Sequence, residues 1–574
     1  MKLLKGIGVS PGIAVGRIFI LEQSTETEKR NIQSCEMEIA RLNDALQESA
    51  SELEKLYEET RKKIGDKEAA IFEAQLFMLQ DQEFIERIKS EIETEKINAE
   101  WAVENVTRYY ASLFLNMENE YMRERAQDIK DIGNRIKNSL KGLSKNPSDK
   151  NAMEGIIAAK EITPSYMAQL NTEKITGVLT ETGGKTSHAA IISRALGIPA
   201  VTGIQALLEE VQNGDYIVFD GESGNVYINP SDEILRDYKE KLKDLISIKN
   251  KLNSLKGTKS ITSDGRQIKV FSNISSDKDI KIVLENDAEG IGLFRTEFLL
   301  MGRNNIPSCE EQFEVYKKVA SLMQGNTVII RTFDIGGDKP LDYIGLAPED
   351  NPFLGYRGIR ISLDRKNLFK EQLKAILKAS AFGNIKIMFP MISTIGELIQ
   401  AKEILFEAKE DLRKQEIPFN EEIQAGIMIE TPAAAIMSDL LSKEADFFSI
   451  GTNDLIQYTM AADRLNSKVS YLYNFYQPAV LRLIKHVIDS GHREGIEVGM
   501  CGEAAGETGL IPVWLGMGID ELSVNPNSIL ATRNIVQNLN FHEAKAMTDN
   551  LLNLSSDEDV KLCLEEFSQS CSCL

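Results

Sequence analysis

Histidine is scarce in this chain, with 4 among 574 residues, beside 2 tryptophans, 6 cysteines and 15 prolines. Six cysteines spread through such a length make no disulfide framework, which points to a reducing compartment and a cytoplasmic protein. Long apolar runs are missing too. No stretch approaches the ~20 residues of a membrane span, and Met1-Lys2-Leu3-Leu4-Lys5 leads into Gly6 rather than into a secretory leader. The tail Cys571-Ser572-Cys573-Leu574 is no prenylation box, because Ser572 is not aliphatic and no polybasic run precedes it. Positive charge is in deficit: 66 basic against 87 acidic side chains leave −21. With no long basic face, DNA and RNA are excluded as partners, while a basic protein would be steered toward the chain.

What is present is the 42% hydrophobic, 27% charged balance of a globular protein, at a length that calls for several domains. Residues 1–22 are rich in glycine and β-branched residues and read as turns and short strands. Between residues 23 and 145 the text turns charged, helix-periodic and nearly proline-free, with breaks near Gly65-Asp66 and Glu95-Lys96-Ile97. It predicts three or four amphipathic helices. Strand-and-turn text returns over 146–230, so 1–22 and 146–230 form one α/β domain interrupted by a helical insert. Residues 231–257 read as a polar helical linker.

Over 258–574, eight short apolar runs alternate with helical text, and most close on a polar or reactive residue. They are Ile268–Asn273, Ile291–Arg295, Val328–Arg331, Ile385–Pro390, Gly426–Glu430, Phe447–Gly451, Glu497–Cys501 and Glu521–Val524. That pattern predicts a parallel (β/α)8 barrel of the TIM type, whose reactive groups gather at the carboxyl ends of its strands. Arg295, Arg331 and Arg464 supply forked donors matched to phosphate or carboxylate. Glu430 and Asp454 are hard oxygen ligands suited to Mg2+, and Asn453 is a donor for a phosphate oxygen. Cys501, at a strand end facing arginines, is fit to serve as acid or nucleophile. This half reads as a site for a small phosphorylated carboxylic acid with Mg2+.

Gly183-Gly184-Lys185-Thr186-Ser187-His188 runs into the apolar start of a helix. The glycines allow close backbone approach, the helix offers free N–H groups, and a neutral imidazole accepts a phosphoryl group. Gly184-Lys185-Thr186 mimics the end of a P-loop. That motif needs glycine five residues before Gly184, where Leu179 stands.

These stretches resemble the enzyme I family, the phosphoenolpyruvate–protein phosphotransferases of bacterial sugar transport. The resemblance rests on Gly183–His188, Phe294–Phe298, Arg331–Lys339, Ile429–Ala434, Ser449–Leu455 and Gly499–Glu503, and it spans essentially the whole chain. It implies that phosphoenolpyruvate binds in the barrel through Arg295, Arg331, Asn453, Asp454 and Arg464, with Mg2+ on Glu430 and Asp454. It further implies that His188 attacks phosphorus through Nε2, that Cys501 protonates the enolpyruvate, and that the insert docks the carrier HPr. Family members pair as homodimers through the barrel. The related ATP-dependent dikinases need a further ATP-binding domain, for which no signature appears here. A non-catalytic phosphoenolpyruvate sensor is the alternative from another class, and intact His188 and Cys501 speak against it. Departures from the family text are Lys185 for arginine, Tyr166-Met167 where an acid and a threonine are usual, Gln75 for histidine, Leu465 for glycine, and Asn474-Phe475-Tyr476-Gln477-Pro478.

Overall fold

A computed structural model describes the chain except for residues 22–26, 64–65, 116–119, 143–153, 169, 172–173, 186, 302, 304, 338–342, 344, 348, 465, 467 and 571–574. Thr186, Asp338-Lys339, Leu465, Cys571, Cys573, the 145/146 domain boundary and the side chain of His188 therefore lie outside the described residues. Two compact units emerge, Met1–Ser247 and Ile248–Leu574. The division falls inside the helix Asp232–Asn253.

In the first unit, eight strands form one sheet in the order β1-β8-β7-β3-β4-β5-β6-β2. They are β1 (Lys2–Lys5), β2 (Ile7–Ser10), β3 (Ile13–Ile20), β4 (Gly155–Ala159), β5 (Ile175–Thr180), β6 (Ala200–Thr202), β7 (Tyr216–Asp220) and β8 (Asn225–Ile228). The chain leaves at the end of β3 and returns in β4, its parallel neighbour, with Ile18 opposite Ile156 and Ile20 opposite Ala158. The helical insert is thus the crossover between two adjacent parallel strands. Ile18, Ile156, Leu179, Ile217 and Phe219 pack one buried cluster of this α/β body, and Val9, Ile157, Val178, Ala190 and Ile192 another.

Among the described residues the insert shows five helices rather than three or four: Cys35–Lys63, Asp66–Leu79, Gln82–Glu95, Ala99–Leu115 and Glu120–Leu140. Beyond the breaks near 65–66 and 95–97, one falls at Gln80-Asp81 and another between Leu115 and Glu120. Asp81 caps the third helix by accepting from Phe84 N at 2.9 Å, which satisfies an otherwise orphaned N–H. Phe84, Ile88 and Ile92 recur every four residues to bury one face. Lys96 then stops the helix in the left-handed region at φ 52°.

The second unit is a closed parallel barrel in the order β10-β11-β12-β13-β14-β15-β16-β9. Its strands are β9 (Lys269–Ile274), β10 (Ile291–Arg295), β11 (Val328–Arg331), β12 (Ile385–Phe389), β13 (Ala425–Ile429), β14 (Phe447–Ile450), β15 (Glu497–Met500) and β16 (Glu521–Val524). Both faces of these strands are covered. Outward residues such as Ile291, Ile330, Ile387 and Ile427 join the large core beneath the helices, while Leu293, Ile329, Met388, Met428, Phe447 and Cys501 fill the interior. Among the described residues, no helix is long and apolar enough to cross a membrane.

Candidate active site

The barrel fixes the reactive side chains because each follows directly from a strand end. Arg295 closes β10, Arg331 closes β11, Glu430 follows β13, and Cys501 follows β15. Asn453 and Asp454 sit in the first turn of the helix Thr452–Met460 that continues β14. Arg464 lies beyond that helix, where its backbone N–H donates to Gln457 Oε1 at 3.3 Å. Its side chain meets the Tyr473 hydroxyl.

Around Arg331 the structure builds a dense ionic group. Arg331 Nη2 donates to Glu297 Oε1 at 2.6 Å, and Nη1 lies 3.2 Å from Asp334 Oδ2. Arg357 Nη2 lies 3.1 Å from Asp334 Oδ2 and 3.3 Å from Asp454 Oδ2, while Nη1 donates to the Tyr458 hydroxyl at 3.1 Å. Both arginines are buried, and burial opposes their charge. The neighbouring carboxylates nevertheless hold both guanidinium groups above their ordinary value. Nε of Arg331 and of Arg357 is buried without a hydrogen-bond partner among the described residues, which leaves each a donor for a bound anion.

Glu430 is 1% exposed and accepts from Met391 N at 2.6 Å. Burial, with Asp454 and Asp334 nearby, pushes its carboxyl well above the usual carboxylate range against the pull of Arg331 and Arg357. Glu297, Asp334, Glu430 and Asp454 stand against the two buried arginines, and hard oxygens of this kind fit a divalent cation that keeps some of its waters. Among the described residues no group of three or more metal-type ligands stands preassembled, so substrate oxygens and water would complete such a shell.

Arg295 is half-buried, has no ion-pair partner among the described residues, and faces a cleft of about 610 Å³ that Asn273, Glu503 and Asn525 also line. Asn453 is engaged at both ends by Glu503: Nδ2 donates to Glu503 Oε1 at 3.1 Å and Oδ1 accepts from Glu503 N at 3.0 Å. Burial pushes the Cys501 thiol up to about 11, against Ser449 and Arg331, which pull it down. It is a protonated thiol at neutral pH, able to donate a proton.

In the first unit His188 opens the helix His188–Leu196, with Ser187 as cap accepting from Ala190 N at 3.4 Å. Gly183 takes φ +108°, which only glycine adopts readily, and a Cβ there would come within 3.1 Å of Ser187 Oγ. Arg194 staples the loop, donating to Lys185 O at 2.9 Å and to Val9 O at 3.2 Å. Lys185 points to solvent, and Met167 is buried in the α/β core. Gln75 is fully buried in the insert, its Nε2 donating to Asp128 Oδ1 at 3.1 Å and Asp131 Oδ2 at 3.3 Å. Asn474 ties its atypical segment to the C-terminal helix through Asp557 Oδ2 at 3.2 Å.

Sequence reasoning assigned no role to Glu297, Asp334 or Arg357. The first two sit inside motifs that were singled out. Arg357 lies off the strand ends, in Gly355-Tyr356-Arg357-Gly358, where Gly358 takes φ +58° and abuts Asp334. A basic residue between glycines was the available signal.

Three family profiles match: "PEP-utilising enzyme, N-terminal" over residues 5–125, "PEP-utilising enzyme, mobile domain" over 152–224, and "PEP-utilising enzyme, PEP-binding domain" over 249–541. The phosphoenolpyruvate-protein phosphotransferase of Priestia megaterium is 46% identical over 97% of this chain and 98% of its own. That of Staphylococcus carnosus is 45% identical over 99% of this chain and 100% of its own. A solution structure of an Enzyme I (nEIt) protein is 37% identical and covers 42% of this chain and 99% of its own, with a TM-score of 0.35. With full-length identity to named relatives and all three profiles in order along it, the chain belongs to the phosphoenolpyruvate-protein phosphotransferase family of PEP-utilising enzymes.

Proposed function

We propose that the chain takes the phosphoryl group of phosphoenolpyruvate onto His188 and passes it to a histidine of the carrier HPr, releasing pyruvate. The observation that carries this is the barrel mouth itself. Arg295, Arg331, Glu430 and Cys501 at or just past the carboxyl ends of the strands, with Asp454 and its partner Arg357 beside them, support placing anion donors, cation ligands and a proton donor at one opening.

Arg295, Arg331 and Arg464 bind the phosphate and carboxylate of the substrate, and Asn453 donates to a phosphate oxygen when Glu503 yields. Glu430 and Asp454 hold Mg2+, which when bound neutralises charge on the substrate oxygens. The His188 imidazole forms the N–P bond as the bridging O–P bond breaks. The electron pair left on the enolate oxygen becomes a carbonyl as C3 takes the Cys501 proton, and solvent restores the thiol. Low dielectric around the buried arginines strengthens their hold on the departing enolate.

The domains on this proposal are the phosphohistidine α/β body (1–22 and 146–230), the HPr-binding helical insert (23–145), the linker (231–257) and the phosphoenolpyruvate barrel (258–574), through which two copies pair. The protein acts in the cytoplasm. Mixing the chain with phosphoenolpyruvate, Mg2+ and HPr tests this: pyruvate and phosphorylated HPr should rise together and stop on chelation. Pyruvate release without HPr phosphorylation would overturn it.

A further inference from the structure

Asn273 ends the first barrel run, yet the chemistry above gives it no part. Its position meets a local need. The β15–β16 ladder has its last register pair at Met500 and Leu522. Cys501 lies one residue beyond that pair, where the ladder has ended. Asn273 fills the gap from β9. One hydrogen of Nδ2 goes to Cys501 O at 3.1 Å and the other to Ser523 O at 3.1 Å, while Oδ1 accepts from the Ser523 hydroxyl at 2.7 Å. The amide orientation follows from chemistry, since an oxygen in place of Nδ2 would face two carbonyl oxygens.

The rest of the Cys501 peptide is equally constrained. Its N–H donates to Ile450 O at 3.1 Å on the β14 side. The next residue is Gly502, where a Cβ would collide with Thr452. With Cys501 itself 1% exposed, the direction of its Cα–Cβ bond is set by these backbone anchors rather than by packing choices among rotamers.

We propose that Asn273 is a positioning residue for proton delivery: by holding the Cys501 carbonyl it aims the thiol at one face of the enolpyruvate C3. This rests on the assignment of Cys501 as proton donor. Asparagine suits the task because it supplies two donors to two carbonyls and brings no charge beside the thiolate left after transfer. Aspartate would set oxygen against oxygen and repel that thiolate.

The test uses the full chain as Asn273→Ala, Asn273→Ser, Cys501→Ala and the Asn273→Ala/Cys501→Ala double variant. Turnover with Mg2+ and HPr is split into kcat and KM. Pyruvate formed in tritiated water from phosphoenolpyruvate stereospecifically deuterated at C3 is analysed for methyl chirality, which a merely structural role would not move. Binding of phosphoenolpyruvate to each variant, followed by calorimetry, needs no C3 proton and reports an intact barrel. Both Asn273 variants should lose about 10- to 100-fold in kcat, keep KM within about twofold, scramble the methyl, and bind phosphoenolpyruvate as the parent does. The double variant should be no slower than Cys501→Ala. Wild-type kcat, unchanged chirality or additive losses would overturn the inference, and if Asn273→Ala does not fold, Asn273→Ser decides. Full turnover by Cys501→Ala would instead overturn the proton-donor assignment.

Discussion

Arg357 and Asp454 form a fork-to-carboxylate pair across the barrel mouth, with Nη1 to Oδ1 at 3.4 Å and Nη2 to Oδ2 at 3.3 Å. Asp334 shares the same guanidinium at 3.1 Å, so one buried cation holds two carboxylates that would otherwise repel. Removing one partner of such a group leaves uncompensated buried charge. Arg357→Ala should destabilise the barrel by about 3–5 kcal/mol. It should also abolish turnover, because Asp454 loses the orientation its proposed cation requires. Urea unfolding and pyruvate release check both, and an unchanged unfolding midpoint would contradict this account of the cluster.

Glu521, at the amino end of β16, should make stability pH-dependent. Burial pushes its carboxyl up to about 8, well above the ordinary carboxylate range; Lys386 and Lys269 pull it down, and Glu497 and Asp520 add to the rise. Both lysines already pair with Glu497, and Glu521 Oε1 is buried with no hydrogen-bond partner among the described residues. The folded chain therefore holds this proton more tightly than the unfolded one. The contribution is complete below the unfolded pKa and is lost as pH rises through the folded value, at most about 5 kcal/mol in all. Glu521→Gln should match the parent at pH 5 and exceed it at pH 9 in thermal unfolding. An equal offset at both pH values would contradict the assignment.

Gln75 should matter for the insert's stability rather than for carrier contact, because its side chain is fully buried against Asp128 and Asp131. Gln75→Ala takes one donor from two buried carboxylates and should cost about 1–3 kcal/mol. HPr affinity measured well below the unfolding temperature should stay within about threefold. A large affinity loss with unchanged stability would show direct contact.

Arg194 should act on the histidine loop alone. Arg194→Met removes donors to the Lys185 and Val9 carbonyls, so phosphoryl transfer to His188 should slow by about tenfold or more. Binding of phosphoenolpyruvate to the barrel, followed by calorimetry, should not change. Weakened binding would contradict the division of labour between the two units.

The barrel was legible in the sequence because each strand is a short apolar run with a marked end. Ile291–Arg295, Val328–Arg331 and Glu521–Val524 match the observed β10, β11 and β16 residue for residue. The places of Arg295, Glu430 and Cys501 were legible for the same reason, since a polar residue closing a buried strand has nowhere to face but the barrel mouth. Pairings were not legible. Nothing local in Asn453 announces that Glu503 holds both ends of its amide, and Arg357 reaches Asp454 across 97 residues. The Gln80-Asp81 break was lost because the apolar periodicity on its two sides reads as continuous. There a cap, not a change in period, ends one helix and starts the next.

The central claim is that His188 carries the phosphoryl group taken from phosphoenolpyruvate. Its most direct measurement is incubation of the purified chain with phosphate-labelled phosphoenolpyruvate and Mg2+, without nucleotide, followed by mapping of the label. An acid-labile, base-stable phosphoryl group on His188 that disappears in His188→Ala and chases onto HPr is the expected result. Label that persists in His188→Ala, or that forms only with ATP, would contradict the account.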